Sequence, residues 1–401
     1  MHKLIENALY SLSDSFKRVD GIALENQKKV LDAFIKNRIA LRHFAPTSGY
    51  GYDDVGRDTL NKLFADVFGT EDAIVSPHIA SGTHALTIAL FGLLRPNQTL
   101  LVATGKPYDT LNDVIFGENI GSLSDFCVNC VIVQLKDGLP DLAAIKAKIS
   151  EVKPSVVALQ RSRGYDMRPA LSVRQIHEIT EIAKQSGCTV MVDNCYGEFT
   201  EPIEPTFADV IVGSLIKNAG GGIAPTGGYI CGRTNAIKQI EGRFTSPSIG
   251  REVGSYAGDY RLFYQGLFLA PHITAQSIKT ALLFSQVFSE LGYKTMPNPT
   301  DTVDDIICSI NFNDEQKLID FCKTVQSVSP VDSFASPEPW DMPGYNDKVI
   351  MAAGAFVQGS SIELSCDAPI RPPYTAYFQG GLTFEHGILA LEACLRSLGI
   401  N

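Results

Sequence analysis

Four kinds of residue, in a fixed order along the chain, have the types and spacing for chemistry. Ser81-Gly82-Thr83 stands between a short apolar run and an apolar helix, so that amides at the helix start and two hydroxyls would face an anion such as a phosphate. Taken alone, Ser81 reads more readily as an ordinary helix cap. Tyr108 follows the apolar run Thr99–Ala103 and offers a ring face to a flat heteroaromatic. Asp193 ends the run Thr189–Val192, which places a carboxylate at the edge of a buried strand, where it needs a cationic partner. Ser214 and Lys217 follow the next apolar run, Val210–Val212. Asp193 and Lys217 by themselves would be a structural ion pair. As a set, the anion cup, aromatic face, carboxylate, hydroxyl and amine match what pyridoxal 5'-phosphate requires.

The elements that must position these groups alternate. Helices are expected over Leu60–Phe68, from Gly82, and over Val173–Ser186. Short apolar runs fall at Ala73–Ser76, Thr99–Ala103, Cys130–Gln134, Val156–Leu159, Thr189–Val192, Val210–Val212 and Tyr229–Cys231. That alternation predicts an α/β domain with a mostly parallel sheet covered on both faces, and such sheets bind ligands at the carboxyl ends of their strands. Residues 1–57 read as an N-terminal helical arm, with Leu4, Ala8, Leu9 and Leu12, then Val30, Leu31, Phe34 and Ile35 at helical spacing. The arm ends in an exposed loop, Pro46 to Arg57, that would contact another subunit. Residues 58–270 form the large domain. Residues 271–401 read as a smaller α+β domain with helices over Pro271–Leu291, Glu315–Val328 and Gly387–Leu398, and strands at Ile306–Phe312, Lys348–Phe356 and Ser361–Ser365. The proline-rich stretch Ser329–Tyr345, with the single tryptophan Trp340, is an insertion with no assigned role.

Composition removes other classes. With 34 Lys and Arg against 44 Asp and Glu, the net charge of −10 argues against a nucleic-acid binder. The richest apolar stretch, Ala80–Leu94, is too short to cross a bilayer, and Met1–Tyr10 has no signal-peptide core, so a cytoplasmic protein is expected. Gly105-Lys106 is followed by proline, and Gly220-Gly221-Gly222 lacks dinucleotide spacing, which removes the nucleotide motifs. Nine scattered cysteines suit reduced thiols. The pair Cys127/Cys130 reads as structural, in a core strand, rather than half a zinc site, and the seven histidines show no ligand spacing. No metal is expected, and His84 reads as a hydrogen-bonding residue at a helix start.

Several stretches carry a resemblance: Gly49-Tyr-Gly-Tyr-Asp-Asp54, Ser81-Gly-Thr-His-Ala85, Gln160-Arg-Ser-Arg-Gly-Tyr165 and Val192-Asp-Asn-Cys-Tyr-Gly-Glu-Phe199. The chain resembles fold-type I pyridoxal-phosphate enzymes of the methionine gamma-lyase and cystathionine beta-lyase group, in the branch labelled aluminium-resistance proteins. The resemblance implies Lys217 as the lysine that holds the cofactor and, once freed, takes the Cα proton with its pKa lowered by an apolar pocket and the nearby cationic cofactor, and Asp193 as the partner of the pyridinium nitrogen. Tyr108 is implied as stacking ring and proton donor. Ser81, Gly82, Thr83 and Ser214 are implied as phosphate ligands, with Tyr50 or Tyr52 and Arg57 reaching a neighbouring subunit's phosphate, although the family's Tyr-x-Arg spacing is not kept.

For the substrate carboxylate the family uses an arginine in the small domain. Here Ile362-Glu-Leu-Ser365 has glutamate near that place. Arg371 is the first candidate and Arg161 and Arg168 compete with it. The implied activity is β- or γ-elimination from a sulfur-containing amino acid, in a homodimer or homotetramer with shared sites. Aldol cleavage, transamination, racemisation and a non-catalytic regulatory role are the alternatives.

Overall fold

Between Asp72 and Gly232 the strands are only four or five residues long and mostly buried, the form expected where helices cover both faces of a sheet. The computed structural model describes residues 2–400. The arm is α1 (Lys3–Ser11) and α2 (Ser13–Lys36), followed by a loop and α3 (Val55–Phe68). Then come β1 (Asp72–Ser76), α4 (Gly82–Leu93), β2 (Thr99–Val102), α5 (Asp109–Phe116), β3 (Asn129–Ile132), α6 (Leu142–Val152) and β4 (Val156–Gln160). The series continues with α7 (Val173–Gln185), β5 (Thr189–Asp193), β6 (Val210–Ser214), β7 (Gly228–Gly232) and α8 (Thr234–Phe244).

These strands form a seven-stranded sheet in the order β1-β7-β6-β5-β4-β2-β3. Neighbours from β6 to β3 are parallel, and β7 runs antiparallel to both β1 and β6. Because β4, β5 and β6 are adjacent and parallel, Gln160, Asp193 and Ser214 leave the sheet side by side at its carboxyl edge. Helix α4 delivers its first turn to the same edge. It is apolar nearly all round because one side packs on the sheet and the other on α8.

The C-terminal part comprises α9 (Arg261–Glu290), β8 (Lys294–Met296), β9 (Ile307–Asn311), α10 (Glu315–Ser327), β10 (Val349–Ala352), β11 (Ser365–Pro369), β12 (Thr375–Gln379) and α11 (Phe384–Ser397). Its five strands form an antiparallel sheet in the order β10-β11-β12-β9-β8. Helix α9 joins the two parts: Phe263 to Ala270 belong to the core of the large sheet, and Ala275 to Phe288 to the core of the small one. The arm is divided in the same way, with Val30 and Ala33 in the first core and Ile5, Ala8, Leu12 and Val19 in the second.

Some expectations are corrected here. The strand expected at Ser361–Ser365 begins at Ser365 and runs to Pro369, because residues 361–364 are buried without joining a ladder. Cys127 is exposed in a turn with positive φ ahead of β3, and β3 is a sheet edge rather than a core strand. The triple glycine after Lys217 serves close packing. A Cβ on Gly220 would lie 1.7 Å from the Leu215 carbonyl oxygen, and one on Gly221 (φ +54°) would lie 2.4 Å from the Gly266 carbonyl oxygen of α9. Among the described residues, no helix is long and apolar enough to cross a membrane.

Candidate active site

A cavity of about 210 Å3 opens at the carboxyl ends of β4, β5 and β6. Ser81, Gly82, Thr83, Tyr108, Asp193, Ser214 and Lys217, seven of the residues singled out in the sequence, all line it. They arrive from separate elements: the first turn of α4, the residue before α5, the end of β5, the end of β6 and the turn beyond it. A second cavity of about 210 Å3, between α2 and α9, contains none of them.

At the anion end, Ser81 caps α4 by accepting from the His84 amide at 3.0 Å, so the capping role is real. His84 Nδ1 in turn accepts from the Ala80 amide at 3.0 Å, which makes it the helix-start hydrogen-bonder expected. Thr83 Oγ1 is 2.8 Å from Thr110 Oγ1. Ser214 Oγ is buried and has no hydrogen-bond partner among the described residues. An orphaned hydroxyl inside a protein is costly unless a ligand satisfies it. Gly82 keeps the space next to it open, since a Cβ there would stand 3.3 Å from Ser214 Cβ and 3.4 Å from Cys195 Sγ.

At the polar centre, Asp193 is half-buried and accepts from the Cys195 amide at 3.1 Å. Burial pushes its carboxyl up, and the Cys195 hydrogen bonds and the nearby Lys217 oppose this. Lys217 Nζ lies 3.7 Å from the centre of the Tyr196 ring. Burial pulls the lysine down, but Tyr196, Cys195 and Asp193 together outweigh burial and hold the ammonium above its ordinary range. The pocket is apolar in its walls, and the groups ranged around the amine favour its charged form.

At the far end Tyr108 meets Tyr165 edge-on with centroids 5.7 Å apart, and its hydroxyl is 2.5 Å from that of Tyr345. Burial, with Tyr345 and Tyr196 nearby, raises the Tyr108 phenol well above its usual value. Tyr165 donates to buried Asp367 at 3.0 Å, as does Gln379. Tyr165 lines the cavity, as the strand end Gln160–Tyr165 suggested, whereas Tyr196, Tyr345 and Gln379 were not anticipated, although all line it. Tyr196 had a local signal, standing three residues after Asp193. Tyr345 and Gln379 had none, because they come from loops and strands more than 200 residues away from Tyr108.

The arginines separate. Arg161 is 0% exposed and donates to Asn194, the Gly197 carbonyl, Thr200, Glu201 and Glu204. Arg168 is buried and donates to the Ser162 carbonyl at 2.7 Å. Neither lines the cavity, and both are corrected from substrate candidates to framework residues. Arg371 is half-exposed, pairs with Asp347 at 2.8 Å, and lines a small cavity of about 30 Å3 that shares Tyr108, Gln160, Gly164 and Tyr165 with the large one.

The expected exposed arginine of the arm loop is also corrected. Arg57 is 3% exposed in the first turn of α3, where it donates to the Gly51 carbonyl and Asp58. Tyr50 and Tyr52 are 70% and 64% exposed, stacked on each other at 5.4 Å, and outside this protomer's cavity.

With this geometry in place, comparison with known proteins is decisive at one level. The sequence profile of the methionine gamma-lyase family matches residues 1–399. The chain belongs to that family. The uncharacterised protein YnbB of Bacillus subtilis is 48% identical over 390 residues, covering 95% of this chain and 92% of its own. A solved structure of a carbon-sulfur lyase involved in aluminium resistance from Clostridium novyi is 50% identical, with a TM-score of 0.95 over 99% of this chain and 95% of that one. L-methionine gamma-lyase of Pseudomonas putida is 27% identical over 210 residues, covering 50% of this chain and 49% of its own. The pyridoxal-5'-phosphate-dependent protein YhfS of Escherichia coli, at 16% identity and a TM-score of 0.65, shares the fold. The fold is that of fold-type I pyridoxal-phosphate enzymes, as the resemblance implied.

Proposed function

We propose that this methionine gamma-lyase family member binds pyridoxal phosphate and cleaves a carbon–sulfur bond of a sulfur-containing amino acid. One observation carries the reading: an amine (Lys217), a strand-end carboxylate (Asp193) and a buried hydroxyl without a partner among the described residues (Ser214) share one cavity with the first turn of α4. That set fits the cofactor's own chemistry. The hydroxyls of Ser81, Thr83 and Ser214 and the amides of the helix start suit its phosphate. The carboxylate suits its ring nitrogen and the amine its aldehyde. When bound, the cofactor supplies an aldehyde that condenses with amines and a protonated ring that withdraws electrons from the substrate Cα.

The chain's own residues do the rest. Asp193 holds a proton at the ring nitrogen. Lys217 Nζ takes the Cα proton once it is free and neutral, a state that the cationic ring beside it favours over the ammonium of the cofactor-free site. The Tyr108 hydroxyl is the proton donor to the departing sulfur, and its high pKa keeps it protonated at neutral pH. Tyr165, Tyr345 and Tyr377 wall the substrate end and exclude water. Arg371, the one candidate arginine bordering the substrate end, would grip the carboxylate after exchanging Asp347 for it. The exposed Tyr50/Tyr52 pair supports a homo-oligomer in which that loop reaches a second copy's phosphate.

The test is direct. Protein mixed with pyridoxal phosphate is reduced with borohydride and its peptides are mapped, and the pyridoxyl mass is expected on the Lys217 peptide. Products from cystathionine, methionine, threonine and alanine then distinguish elimination from aldol cleavage, transamination and racemisation. A 2-keto acid with a released thiol from the sulfur substrates is expected. Label on another lysine, or no thiol from either substrate, refutes the proposal.

A further inference from the structure

The insertion between α10 and β10 reaches the cavity at one residue. It is tied to β10 by paired backbone hydrogen bonds between Trp340 and Val349, at 3.0 and 3.1 Å, and then turns back so that Tyr345 enters the cavity wall. The Tyr345 hydroxyl is 2.5 Å from that of Tyr108, at the short end of the O–H···O range. Its ring meets Tyr108 nearly perpendicularly and is tilted against Tyr165 at 5.6 Å. Tyr345 also lines an outer cavity of about 100 Å3, whose other walls include Lys106, Asp109, Asn112, Asp113 and Asn346. One phenol therefore touches the proton donor on its inner side and a polar cavity on its outer side.

We infer that Tyr345 is a positioning and proton-relay residue that acts through Tyr108. The inference rests on the lyase reading above. As the C–S bond breaks, its electron pair leaves on sulfur. The Tyr108 O–H bond breaks as the thiol S–H bond forms. The Tyr345 O–H bond breaks as that of Tyr108 is restored, and Tyr345 regains a proton from water in the outer cavity, the hydroxide left behind being neutralised by the Cα proton that Lys217 gives up to solvent. Without the second hydroxyl, the Tyr108 phenolate would lose its hydrogen-bond partner while facing Tyr196 and Asp367, which disfavour the charge.

The experiment compares wild type with Tyr345→Phe, which keeps the ring and removes the hydroxyl. Two classes of substrate are used: one releases an alkyl thiol, which leaves poorly without a proton, and the other an acidic nitrophenyl thiol, which leaves unassisted. For the alkyl thiol, kcat is expected to fall about 10- to 100-fold, within the range of general acid catalysis, with KM little changed. For the nitrophenyl thiol kcat is expected to hold. Equal loss on both, or loss on neither, overturns the relay.

A second readout needs no turnover. The short hydroxyl pair should give a low-field proton resonance in the wild-type protein, lost in Tyr345→Phe and in Tyr108→Phe. Its absence from the wild type overturns the inference even where Tyr345→Phe fails to fold. If the resonance is present but the wild type cleaves no sulfur amino acid, the lyase reading has failed, and the relay fails with it.

Discussion

Lys217 Nζ sits 3.7 Å from the centre of the Tyr196 ring, and the Tyr196 hydroxyl donates to Ser361 Oγ of the small domain at 3.0 Å. The ring is therefore held over the amine by a residue from the other half of the molecule. A desolvated cation–π contact is worth about 2 kcal/mol, and about 1.36 kcal/mol corresponds to one pKa unit. Tyr196→Leu should therefore lower the Lys217 pKa by about one unit or more, because burial then acts with less opposition. Since only the neutral amine attacks an aldehyde, the variant should take up pyridoxal phosphate faster near neutral pH than wild type. Tyr196→Phe, which keeps the ring, should lie between the two. Stopped-flow uptake as a function of pH measures this, and identical profiles for wild type and Tyr196→Leu would disprove it.

Placement of the lysine also depends on the backbone after it. Gly220 approaches the Leu215 carbonyl and α9 so closely that a methyl group has nowhere to go: the first obstacle is backbone at 1.7 Å. Gly220→Ala should cost at least about 1–3 kcal/mol, as overpacking does, and should shift the turn carrying Lys217. A lower melting temperature together with weaker cofactor uptake is expected. Unchanged uptake would show that the turn tolerates the shift.

The layout of the large domain was legible because its strands are short apolar runs punctuated by helices, and the order Ser81, Tyr108, Asp193, Ser214, Lys217 follows from that layout. Residues lying at the ends of consecutive parallel strands must share an edge. What was not legible lies where contacts depend on tertiary geometry. Arg161 and Arg371 look alike in sequence, and only the fold shows one enclosed by Glu201 and Glu204 and the other bordering the site. The direction of the Lys217 shift in the cofactor-free chain was not legible for the same reason. An apolar run before a lysine signals burial, but the aspartate and tyrosine that reverse its effect come from the neighbouring strand. Tyr345 lay in a stretch with no periodicity, and its role arises from where the insertion ends.

Glu198 supplies a pH prediction. It is buried, accepts from Tyr229 at 2.7 Å through one oxygen, and has no partner for the other among the described residues. Burial pushes its carboxyl up to about 8, against the helping hydrogen bond from Tyr229. For an acid whose pKa is raised on folding, the stabilising contribution is full below the unfolded value of 4.5 and is lost as pH rises through the folded value. Wild type should therefore lose melting temperature steadily from mildly acidic pH to pH 9, about the point at which Glu198 becomes mostly ionised. Glu198→Gln, neutral at every pH, should show a flatter profile and gain on wild type at the alkaline end. Parallel profiles from thermal unfolding across that window would show that Glu198 does not titrate as described.

The two arginines give opposite signatures. Arg161 is wholly buried with Glu204 also buried, so removing it strands a carboxylate in the interior, and breaking such a pair costs about 3–5 kcal/mol. Arg161→Leu should lower thermal stability sharply, and any folded fraction should keep the wild-type KM. Arg371 is half-exposed and its ion pair with Asp347 lies near the surface, where such pairs add little, so Arg371→Ala should melt within a few degrees of wild type. If Arg371 grips the substrate carboxylate, its loss should raise KM for sulfur amino acids about 10- to 100-fold, the worth of one charge-assisted bidentate contact. A decarboxylated amine analogue should then bind the variant and wild type equally. Should KM stay unchanged in Arg371→Ala, the carboxylate must be held by Tyr or Gln side chains of the cavity or by a residue from a second copy of the chain, and comparison at increasing protein concentration would tell these apart.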